Sequence, residues 1–425
     1  MTAHRLAADL QRVARASEVI VPDHREYDSR RAVWNAMIDR RPGAIVRARS
    51  VEDVRSVIRV AAEHGALLAV RGGGHSIPGL STCNGGIVLD LSLLRRVDVD
   101  AMARTVRVDG GALLADLDAA GAPYGLVTPA GVVSHTGVGG LTLGGGMGWL
   151  SRRFGMTVDS LLSAEVVTAD GRLVHASVEE EPDLFWAIRG GGGNFGVVSS
   201  FHFRMHDLAS VVVGIWRYPL AQAASMLAGW GQLAPTLPRE LSLCLTLLRD
   251  TLSVTACWSG AASAAEAAFS PCHKLGQPRE HSVTATRFVD LQRRDDEELP
   301  WGRRYFVKGG YFARLDQPLI EDMLEAAAAI PNDATLIYLV QLGGAVADVA
   351  DEQTAFTGRS AEFFWLVEAV WDDAQDDERY VAWARTGAGR LSAHSTAGNY
   401  VNEQSEVTRE VVVTAYGPTK YQRLG

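Results

Sequence analysis

The sequence predicts an α+β protein whose first half carries blocks of glycine and whose second half is a large antiparallel sheet covered by helices. Two observations support this prediction. Three glycine blocks lie in the first half, each beside an apolar run typical of a strand. From about residue 211 the blocks cease, and alternating apolar runs follow, separated by alanine-rich, helix-like segments. The first, second and third glycine blocks are RGGGHS (71–76), TPAGVVSHTGVGGLTLGGGMGW (128–149) and RGGGGNFGVV (189–198).

Local signals predict several elements of the first half. Residues 1–20 have the pattern of an amphipathic helix. Ser50 with Asp53 forms a capping-box pattern before the helical run VRSVIRVAAEHG, which Gly65 ends. The run VVTADGRLVHA at 166–176 predicts a hairpin, because a glycine lies between two alternating apolar stretches.

The second half alternates strand-like and helix-like segments that share an apolar face, which favours an antiparallel sheet with helices on one side. We expect one domain over residues 1–207, joined by a returning segment 404–425, and a second domain over 208–403. The strand-like runs are VVVGIWRYPL (211–220), LSLCLTLLRD (241–250), TLSVTACWSG (251–260), LIYLVQLGGAV (336–346) and FFWLVEAVW (363–371).

Composition limits the possible functions. The chain has 425 residues, 47% of them hydrophobic and 21% charged, as in a globular protein large enough for two domains. Its formal net charge of −9 disfavours nucleic acid and anionic membranes as partners. Four scattered cysteines without ligand spacing predict neither a metal site nor a disulfide scaffold. Without a signal-like or membrane-spanning run, we expect a cytoplasmic monomer or homodimer.

The glycine blocks predict a binding site for a large anionic ligand. Glycine lets the backbone approach a ligand without a Cβ in the way, and successive N–H groups can then converge on a pyrophosphate. Gly191, Gly193 and Gly196 match the GxGxxG spacing of a dinucleotide fingerprint. That fingerprint requires a strand before it and a helix after it, whereas here a helix-like run precedes and a strand-like run follows. This reversed order argues against a nicotinamide-binding Rossmann fold.

The blocks RGGGHS, AGVVSHTGVGGLTLGGGMGW and DLFWAIRGGGGNFGVV resemble the FAD-binding domain of the vanillyl-alcohol oxidase superfamily, also called the PCMH type. Within it they are similar to the berberine-bridge-enzyme-like oxidases, especially bacterial flavoenzymes of the 6-hydroxynicotine oxidase and secondary-metabolite type. The resemblance runs from about Val21 to the end of the chain. It implies a PCMH-type FAD-binding domain, a substrate domain whose sheet covers the flavin ring, and an FAD-dependent oxidoreductase.

The resemblance also implies how the flavin is attached. In this family the histidine of RGGGH bonds covalently to the flavin 8α-methyl group, and that residue is His75 here. Many plant and fungal members add a cysteine tether at the position that Val133 occupies, so a single histidyl link is expected. Thr136 lies where relatives carry a residue that governs oxygen access, which leaves oxidase and dehydrogenase activity both open.

The remaining cofactor contacts expected from the resemblance lie in the three blocks. They are Arg71, Gly72, Gly73, Gly74 and Ser76 in the first; Thr128, Pro129, Gly131, His135, Thr136, Gly137, Gly139, Gly140, Thr142, Gly145, Gly146, Gly148 and Trp149 in the second; and Gly193, Asn194, Gly196 and Val198 in the third.

Enzymes of this family need a base tuned toward neutrality, and in relatives a Tyr or Glu on the covering sheet fills that role. The segment matching the plant YxNY pattern reads Tyr400, Val401, Asn402, Glu403, so a glutamate replaces the second tyrosine. Two strand-like runs are expected to face the pocket. We expect Tyr338 and Gln341 to face it on one run, and Glu368 and Glu362 to share a face with Phe364 on the other. Tyr305, Lys308 and Tyr311 form a further set, for which a structural role is favoured.

The resulting hypothesis is an oxidase that transfers a hydride from an alcohol, amine or activated carbon of a small organic molecule to covalent FAD and then to O₂, forming H₂O₂. Two alternatives remain open at this stage. One is a dehydrogenase that uses another electron acceptor, and the other is a flavin carrier without catalytic activity. The sequence does not identify the substrate.

Overall fold

The computed structural model describes residues 3–14 and 17–425. Its helices are α1 (Ala3–Val13), α2 (Tyr27–Arg31), α3 (Val51–His64), α4 (Leu114–Gly121), α5 (Val138–Leu143), α6 (Ser151–Phe154), α7 (Pro182–Ala187), α8 (Ala223–Leu233), α9 (Ala265–His273), α10 (Phe288–Leu291), α11 (Gln317–Ala328), α12 (Asp377–Ser392) and α13 (Arg409–Leu424). Its strands are β1 (Glu18–Ile20), β2 (Ala44–Arg47), β3 (Leu68–Arg71), β4 (Ile87–Asp90), β5 (Val97–Asp100), β6 (Thr105–Asp109), β7 (Leu126–Val127), β8 (Leu161–Val167), β9 (Leu173–Ser177), β10 (Val197–Arg204), β11 (His206–Asp207), β12 (Ser210–Pro219), β13 (Leu241–Leu247), β14 (Thr251–Trp258), β15 (Glu280–Arg287), β16 (Arg304–Phe312), β17 (Leu336–Gln341) and β18 (Phe363–Trp371).

Two larger sheets build the glycine-rich part, and β7 and β11 form a separate antiparallel pair. The first has the order β1-β2-β4-β3, in which β2 and β3 run parallel to β4, and α3 makes the connection between β2 and β3. The second is antiparallel, with the order β5-β6-β10-β8-β9. Val54 and Val57 of α3 pack with Leu89 of the first sheet and Val167 of the second, so one helix joins the two sheets through a common core.

The local signals around α3 and the hairpin are confirmed. The Ser50 hydroxyl accepts a hydrogen bond from the Asp53 N–H, and Gly65 ends the helix with a positive φ of 57°. This glycine adopts the left-handed conformation that a side chain would disfavour. The predicted hairpin is the antiparallel pair β8 and β9, whose turn holds Gly171 at φ 78°.

The predicted N-terminal helix is wrong over its last residues. Helix α1 ends at Val13, and Glu18–Ile20 forms strand β1, which pairs antiparallel with β2. β-branched Val19 and Ile20 fit a pleated surface better than a helix, and Ile20 is fully buried there.

The second half is an antiparallel seven-stranded sheet with the order β15-β12-β14-β13-β17-β18-β16. Successive side chains of a strand point to opposite faces. One face carries Ile337, Leu339 and Trp365, which pack against helices α8, α9, α11 and α12 in the largest core of the molecule. The predicted α+β class, with helices covering one side of an antiparallel sheet, is confirmed.

The opposite face of this sheet packs on the glycine-rich part. Phe364, Leu366 and Val340 lie in one cluster with Ile77 and Met156, which belong to the first half of the chain. Strands β15 and β16 are consecutive in sequence but lie at opposite edges of the sheet. The connection between them therefore spans this face, and residues 292–303 of it are called the crossing segment below.

The C-terminal helix α13 reaches the glycine-rich part. Arg423 forms an ion pair of 2.8 Å with Asp183, and its guanidinium lies over the Trp186 ring. Leu424 packs beside Ala187. Among the described residues, none of the helices is long and apolar enough to span a membrane.

Candidate flavin site and the carboxylates that face it

The first glycine block leaves a run of backbone donors unused. Strand β3 ends at Arg71, and none of the N–H groups from Gly72 to Ile77 donates a hydrogen bond within the part of the chain that the structure describes. Gly74 has a positive φ of 73°, which turns the loop sharply. Consecutive free N–H groups in such a loop form a concave anion site, and a pyrophosphate is a ligand of matching chemistry. The loop therefore fits a dinucleotide such as FAD.

The first two glycine blocks touch backbone to backbone. A Cβ on Gly73 would overlap the nitrogen of Gly137, and a Cβ on Gly137 would overlap the nitrogen of Gly73. Gly139 approaches the carbonyl oxygen of Gly110 in the same way, at 2.9 Å from a Cβ position. Packing between loops thus requires these glycines, independently of any ligand.

Other glycines divide into packed and open positions. A Cβ on Gly145 would lie 2.6 Å from the Phe356 ring, and one on Gly148 would overlap the Ala130 carbonyl. By contrast, Gly140 is exposed and has nothing within 4 Å of its Cβ position. Gly193 is also exposed, and its nearest neighbour there is a Leu143 methyl at 3.7 Å. Gly140 and Gly193 are therefore among the positions with room for a ligand.

His75 lies in an aromatic setting. Its ring stacks on Trp34 at 5.0 Å between centroids, and Trp301 meets it edge-on at 6.0 Å. Its Nε2 lies 2.7 Å from Nδ1 of His135, so the first and second blocks meet at these two imidazoles. Burial, with a smaller contribution from His135, lowers the pKa of His75 to about 3. His75 is consequently neutral at physiological pH, as a nucleophile must be.

Several predicted cofactor contacts bind other parts of the chain. The Arg71 guanidinium forms a buried ion pair of 2.8 Å with Asp90, and the Ser76 hydroxyl accepts the Leu80 N–H at 2.9 Å. Thr128 is fully buried, next in sequence to strand β7 and Pro129, and its hydroxyl bonds the Arg204 carbonyl.

Further members of the second block have varied surroundings. The Gly131 carbonyl accepts a hydrogen bond of 2.8 Å from Gln292. The Thr136 carbonyl accepts the Leu114 N–H, the Thr142 hydroxyl is buried without a hydrogen-bond partner among the described residues, and Gly146 abuts Thr157. Buried Val133 lies near the start of this loop.

The third block has one exposed end and one buried end. The side chain of Asn194 is exposed and makes no hydrogen bond with the described residues, whereas Val198 is buried in the core of the five-stranded sheet. Gly196 has a φ of 144° and lies against the Val167 carbonyl, at 2.7 Å from a Cβ position. The block docks on the second through the Gly190 N–H, which donates to the Leu143 carbonyl at 3.1 Å.

Glu368 and Glu403 form a pair of carboxylates that has no countercharge among the described residues. Glu368 lies on the sheet face that packs on the glycine-rich part, where it pairs across strands with Val307. The Val307 N–H and carbonyl both bond Ser405, at 2.7 and 2.9 Å, which brings the neighbouring Glu403 to the same place. Burial alone raises the pKa of Glu368 to about 7. Burial and then the charge of Glu368 raise the pKa of Glu403 to about 8.

Tyr400 and Asn402 join this segment to the second glycine block. The Tyr400 hydroxyl accepts hydrogen bonds of 3.0 Å from the Gly146 N–H and from the Asn402 amide. The same amide donates to the Leu141 carbonyl at 3.0 Å. Burial raises the pKa of Tyr400 above its usual value. Both side chains thus position the carboxylate pair relative to the second block.

Tyr338 lies on the same sheet face as Glu368, since it pairs with Leu366 while Leu336 pairs with Glu368. Burial raises its pKa well above 10, and the Cys244 thiol is its hydrogen-bond neighbour. It belongs to the cluster between the sheet and the glycine-rich part.

Two expectations about this face are wrong. Gln341 is three residues from Tyr338 and therefore points the other way, where its amide bonds Glu362 and the Ala234 carbonyl. Glu362 precedes strand β18, which begins at Phe363, and lies about 20 Å along the chain from Glu368. The period-two argument failed because Glu362 is outside the strand.

The set formed by Tyr305, Lys308 and Tyr311 makes the structural contacts that the sequence favoured. Tyr305 stacks on Trp34 at 3.7 Å, and its hydroxyl donates to the Pro300 carbonyl. Lys308 points to the other face and forms an ion pair of 2.6 Å with Glu406. Tyr311 is fully buried.

Sequence reasoning missed the crossing segment. Trp301 covers Gly74, with its ring 2.9 Å from a Cβ position there, and Arg294 lies over Trp149 at 5.1 Å. The Asp296 carboxylate accepts hydrogen bonds from the N–H of Ser134 at 2.8 Å and from its hydroxyl at 2.6 Å, and Ser134 is the neighbour of His135. No local pattern marks these residues, because only the opposite-edge positions of β15 and β16 bring them over the site.

Comparison with known proteins agrees with this geometry. Residues 42–177 match a family model described as an FAD binding domain. An FAD-linked oxidoreductase of Dictyostelium discoideum is 32% identical over 373 residues, covering 87% of this chain and 82% of that protein. The (R)-6-hydroxynicotine oxidase of Paenarthrobacter nicotinovorans is 30% identical over 441 residues, covering 96% and 92%.

Among solved structures, glucooligosaccharide oxidase from Acremonium strictum, which carries a 6-S-cysteinyl, 8α-N1-histidyl FAD, superposes with a TM-score of 0.88 at 24% identity, covering 99% of this chain and 94% of that one. This likeness shows the fold. The matched domain and the two relatives also show the family. The chain belongs to the berberine-bridge-enzyme-like, PCMH-type family of FAD-linked oxidoreductases.

Proposed function

We propose that this enzyme is an oxidase that carries FAD on His75 through a single covalent link and oxidises a small organic molecule at an alcohol, amine or activated carbon. The observation that carries the proposal is the Glu368 and Glu403 pair. These carboxylates have raised pKa values, and the charge of Glu368 acts on Tyr305, which stacks on Trp34, the ring that in turn stacks on His75.

The first block would hold the cofactor. The N–H groups from Gly72 to Ile77, which donate to no acceptor in the described part of the chain, would bind its pyrophosphate, and the open positions Gly140 and Gly193 leave room beside it. Trp34 and Trp301 pack on the ring of His75 from two sides. Val133, without a thiol, supports one link rather than two. We assign residues 1–207 and 404–425 to the flavin-binding domain, and 208–403 to the substrate domain.

When bound, FAD supplies the acceptor for a hydride and returns the electrons to O₂ as H₂O₂. The protein's own task is to remove the proton from the substrate. Glu368 is suited to it, because burial raises its pKa to about 7 and no ion pair with a cation is formed by it within the described part of the chain. Glu403, which has the higher pKa of the pair, would stay protonated next to Glu368. Tyr400 and Asn402 would fix the segment that presents Glu403.

The substrate class is drawn from chemistry and from the relatives. The sheet face that carries Tyr338, Leu366 and Glu368 combines apolar side chains with one carboxylate, which suits a medium-sized, mostly apolar molecule with one oxidisable polar group. Relatives named as hydroxynicotine and oligosaccharide oxidases support such small-molecule chemistry.

Two measurements test the proposal. Acid-precipitated protein should stay yellow and fluoresce, and His75→Ala should release its flavin to the supernatant; free flavin from the unaltered protein would refute the tether. Enzyme reduced by a substrate should reoxidise in air within seconds, with one H₂O₂ per turnover. A slow reoxidation would favour a dehydrogenase, and a flavin that no member of an alcohol, amine and sugar panel reduces would favour a carrier.

A further inference from the structure

A basic cavity lies at one end of the five-stranded sheet. It has a volume of about 450 Å³, and its lining combines three arginines with one carboxylate. The arginines come from the turn between β5 and β6, from helix α6 and from the end of β10. In a chain with a net charge of −9, this cavity gathers positive charge at one place. Its polar and aromatic lining residues are Arg104, Arg153, Phe154, Arg204, His206 and Asp207.

The cavity is separate from the candidate flavin site. Strand β6 begins at Thr105, the neighbour of Arg104, and ends at Asp109. Gly110 follows, and its carbonyl oxygen lies 3.3 Å from a Cβ position on Gly72 of the first glycine block. A strand advances about 3.4 Å per residue, so about 20 Å separate Arg104 from that block. A ligand in the cavity would leave the N–H groups of the first block untouched.

Arg153 and Arg204 line the cavity without a countercharge, since neither forms an ion pair with the residues that the structure describes. Arg153 is half-buried, donates a hydrogen bond to the Ser259 carbonyl and lies 4.7 Å from the centre of the Phe154 ring. The same ring stacks on His206 at 4.2 Å between centroids. These contacts hold the Arg153 guanidinium in place, so a ligand that binds it has little ordering to impose.

Arg104 is fixed at the cavity by its backbone and by Asp207. Its φ is 51°, in the left-handed region that glycine or asparagine adopts more readily than arginine. Its carbonyl accepts the Met205 N–H at 2.8 Å, which pins the turn beside the end of β10. Its guanidinium pairs with Asp207 at 3.0 Å. One of the three positive charges is thus neutralised within the lining, and two are not.

His206 contributes no further charge. Burial, followed by the charges of Arg204 and Arg153, lowers the pKa of His206 to about 4, while Asp207 acts in the opposite direction. The ring is therefore neutral at physiological pH, and its Nε2 lies 3.2 Å from the Ser160 hydroxyl. The two unpaired guanidinium groups consequently set the charge of a matching ligand.

We propose that this cavity binds the phosphate group of a small organic phosphate. A phosphate monoester carries a charge between about −1.5 and −2 at pH 7, which matches the guanidinium groups of Arg153 and Arg204. The planar guanidinium also pairs with phosphate oxygens through parallel N–H···O bonds. A carboxylate would match only one of the two charges. The volume is in the range of small-molecule sites and leaves space for an organic part beside the phosphate.

Inorganic phosphate is the probe for this site, and protein loaded with FAD is used so that the first glycine block is occupied. Isothermal titration calorimetry at neutral pH and constant ionic strength should show saturable binding of one phosphate per chain. Benzoate, a monoanion, should bind about tenfold more weakly or less, because it meets one guanidinium rather than two. Equal affinities for benzoate and phosphate would contradict the choice of a dianion.

Two exposed lining residues provide variants with opposite expected effects. Arg204→Gln removes a charge and should weaken phosphate binding about tenfold, whereas Asp207→Asn frees Arg104 and should strengthen it. Arg204→Lys keeps the charge and should recover part of the affinity. Arg107→Gln is the matched control, because Arg107 is exposed on the same sheet outside the lining, and it should change the affinity by less than about twofold.

NMR locates the bound anion. The imidazole signals of His206, identified by their loss in His206→Gln, should shift along the same saturation curve as the calorimetric signal. Those of His273, which does not line the cavity, should stay in place. The proposal is overturned if phosphate does not bind, if its affinity is the same in Arg204→Gln and Asp207→Asn, or if the His206 signals do not move. Failure of the flavin tether or of oxidase activity would change none of these readouts, so the two proposals fail separately.

Discussion

Arg359 and Asp159 form a buried bidentate ion pair that joins the two halves of the molecule. The guanidinium nitrogens lie 2.7 and 3.1 Å from the two carboxylate oxygens, and the side chains are only 2% and 8% exposed. Asp159 follows the second glycine block, whereas Arg359 precedes strand β18. The relative position of Glu368 and the second block therefore depends on this pair.

Replacing Arg359 by Met should lower the free energy of unfolding by about 3–5 kcal/mol, because Asp159 would remain buried without its countercharge. Urea titration monitored by tryptophan fluorescence measures the change. Arg217→Met, which breaks the exposed pair with Glu280, is the matched control and should change stability by less than about 1 kcal/mol. Equal losses in both variants would mean that the buried pair has no special role.

Glu368→Gln should lower kcat about 10²- to 10⁴-fold with any substrate that reduces the flavin, since a carboxamide cannot accept the proton. In the unaltered enzyme kcat/KM should rise with pH through about 7, because burial places the pKa of Glu368 there and only the ionised form is a base. Glu362→Gln is the control, since Glu362 precedes strand β18 and lies away from Glu368, and it should keep both rate and pH profile. An unchanged acid limb in Glu368→Gln would contradict the assignment.

Gly137→Ala should prevent the first two blocks from packing, because its Cβ would overlap the backbone of Gly73. We expect the free energy of unfolding to fall by about 3 kcal/mol and the variant to retain FAD poorly. Gly389→Ala in helix α12 provides the comparison, since nothing lies within 4 Å of its Cβ position. It should raise the free energy of unfolding by up to about 1 kcal/mol. Thermal unfolding and flavin content of both variants give the answer. Normal flavin content in Gly137→Ala would refute the packing argument.

Asp118→Asn should stabilise the protein at neutral and alkaline pH. Burial raises the pKa of Asp118 to about 7, against its usual value of 3.8. A carboxyl group whose pKa is higher in the folded state contributes most to folding stability at pH values below its unfolded-state pKa. This contribution is lost as the pH rises from about 4 to about 7. The variant should thus match the unaltered protein near pH 4 and exceed it by roughly 2 kcal/mol above pH 7.

Melting curves across that pH range measure the effect. Asp170 offers the opposite case, because hydrogen bonds from Thr168 and Arg172 hold its pKa below the usual range. Asp170→Asn should therefore lose stability above its unfolded pKa, where Asp118→Asn gains it. A pH-independent change in Asp118→Asn would contradict the raised pKa.

Local sequence was sufficient to predict an element wherever its hydrogen bonds form within a short stretch of the chain. Helix α3 carries its start signal at Ser50 and its stop at Gly65, and both work through hydrogen bonds within a few residues. The reversed order around the third block is likewise a local feature, and it argues against a Rossmann fold from the sequence alone. The period-two argument held for Glu368 and Phe364, which lie inside strand β18, and failed for Glu362, which precedes it. Gln341 lies inside β17 but three residues from Tyr338, so it points to the opposite face.

The sequence by itself determined the α+β class, the three glycine blocks, the family and the residues that carry titratable groups. The tertiary structure alone decided which of these residues meet. The pairing of His75 with His135 and of Glu368 with Glu403, and the passage of Trp301 over Gly74, depend on strand order and on loops packed across the molecule. The physical reason is that a contact between residues far apart in the chain is set by the packing of whole elements, which leaves no periodic trace in local sequence.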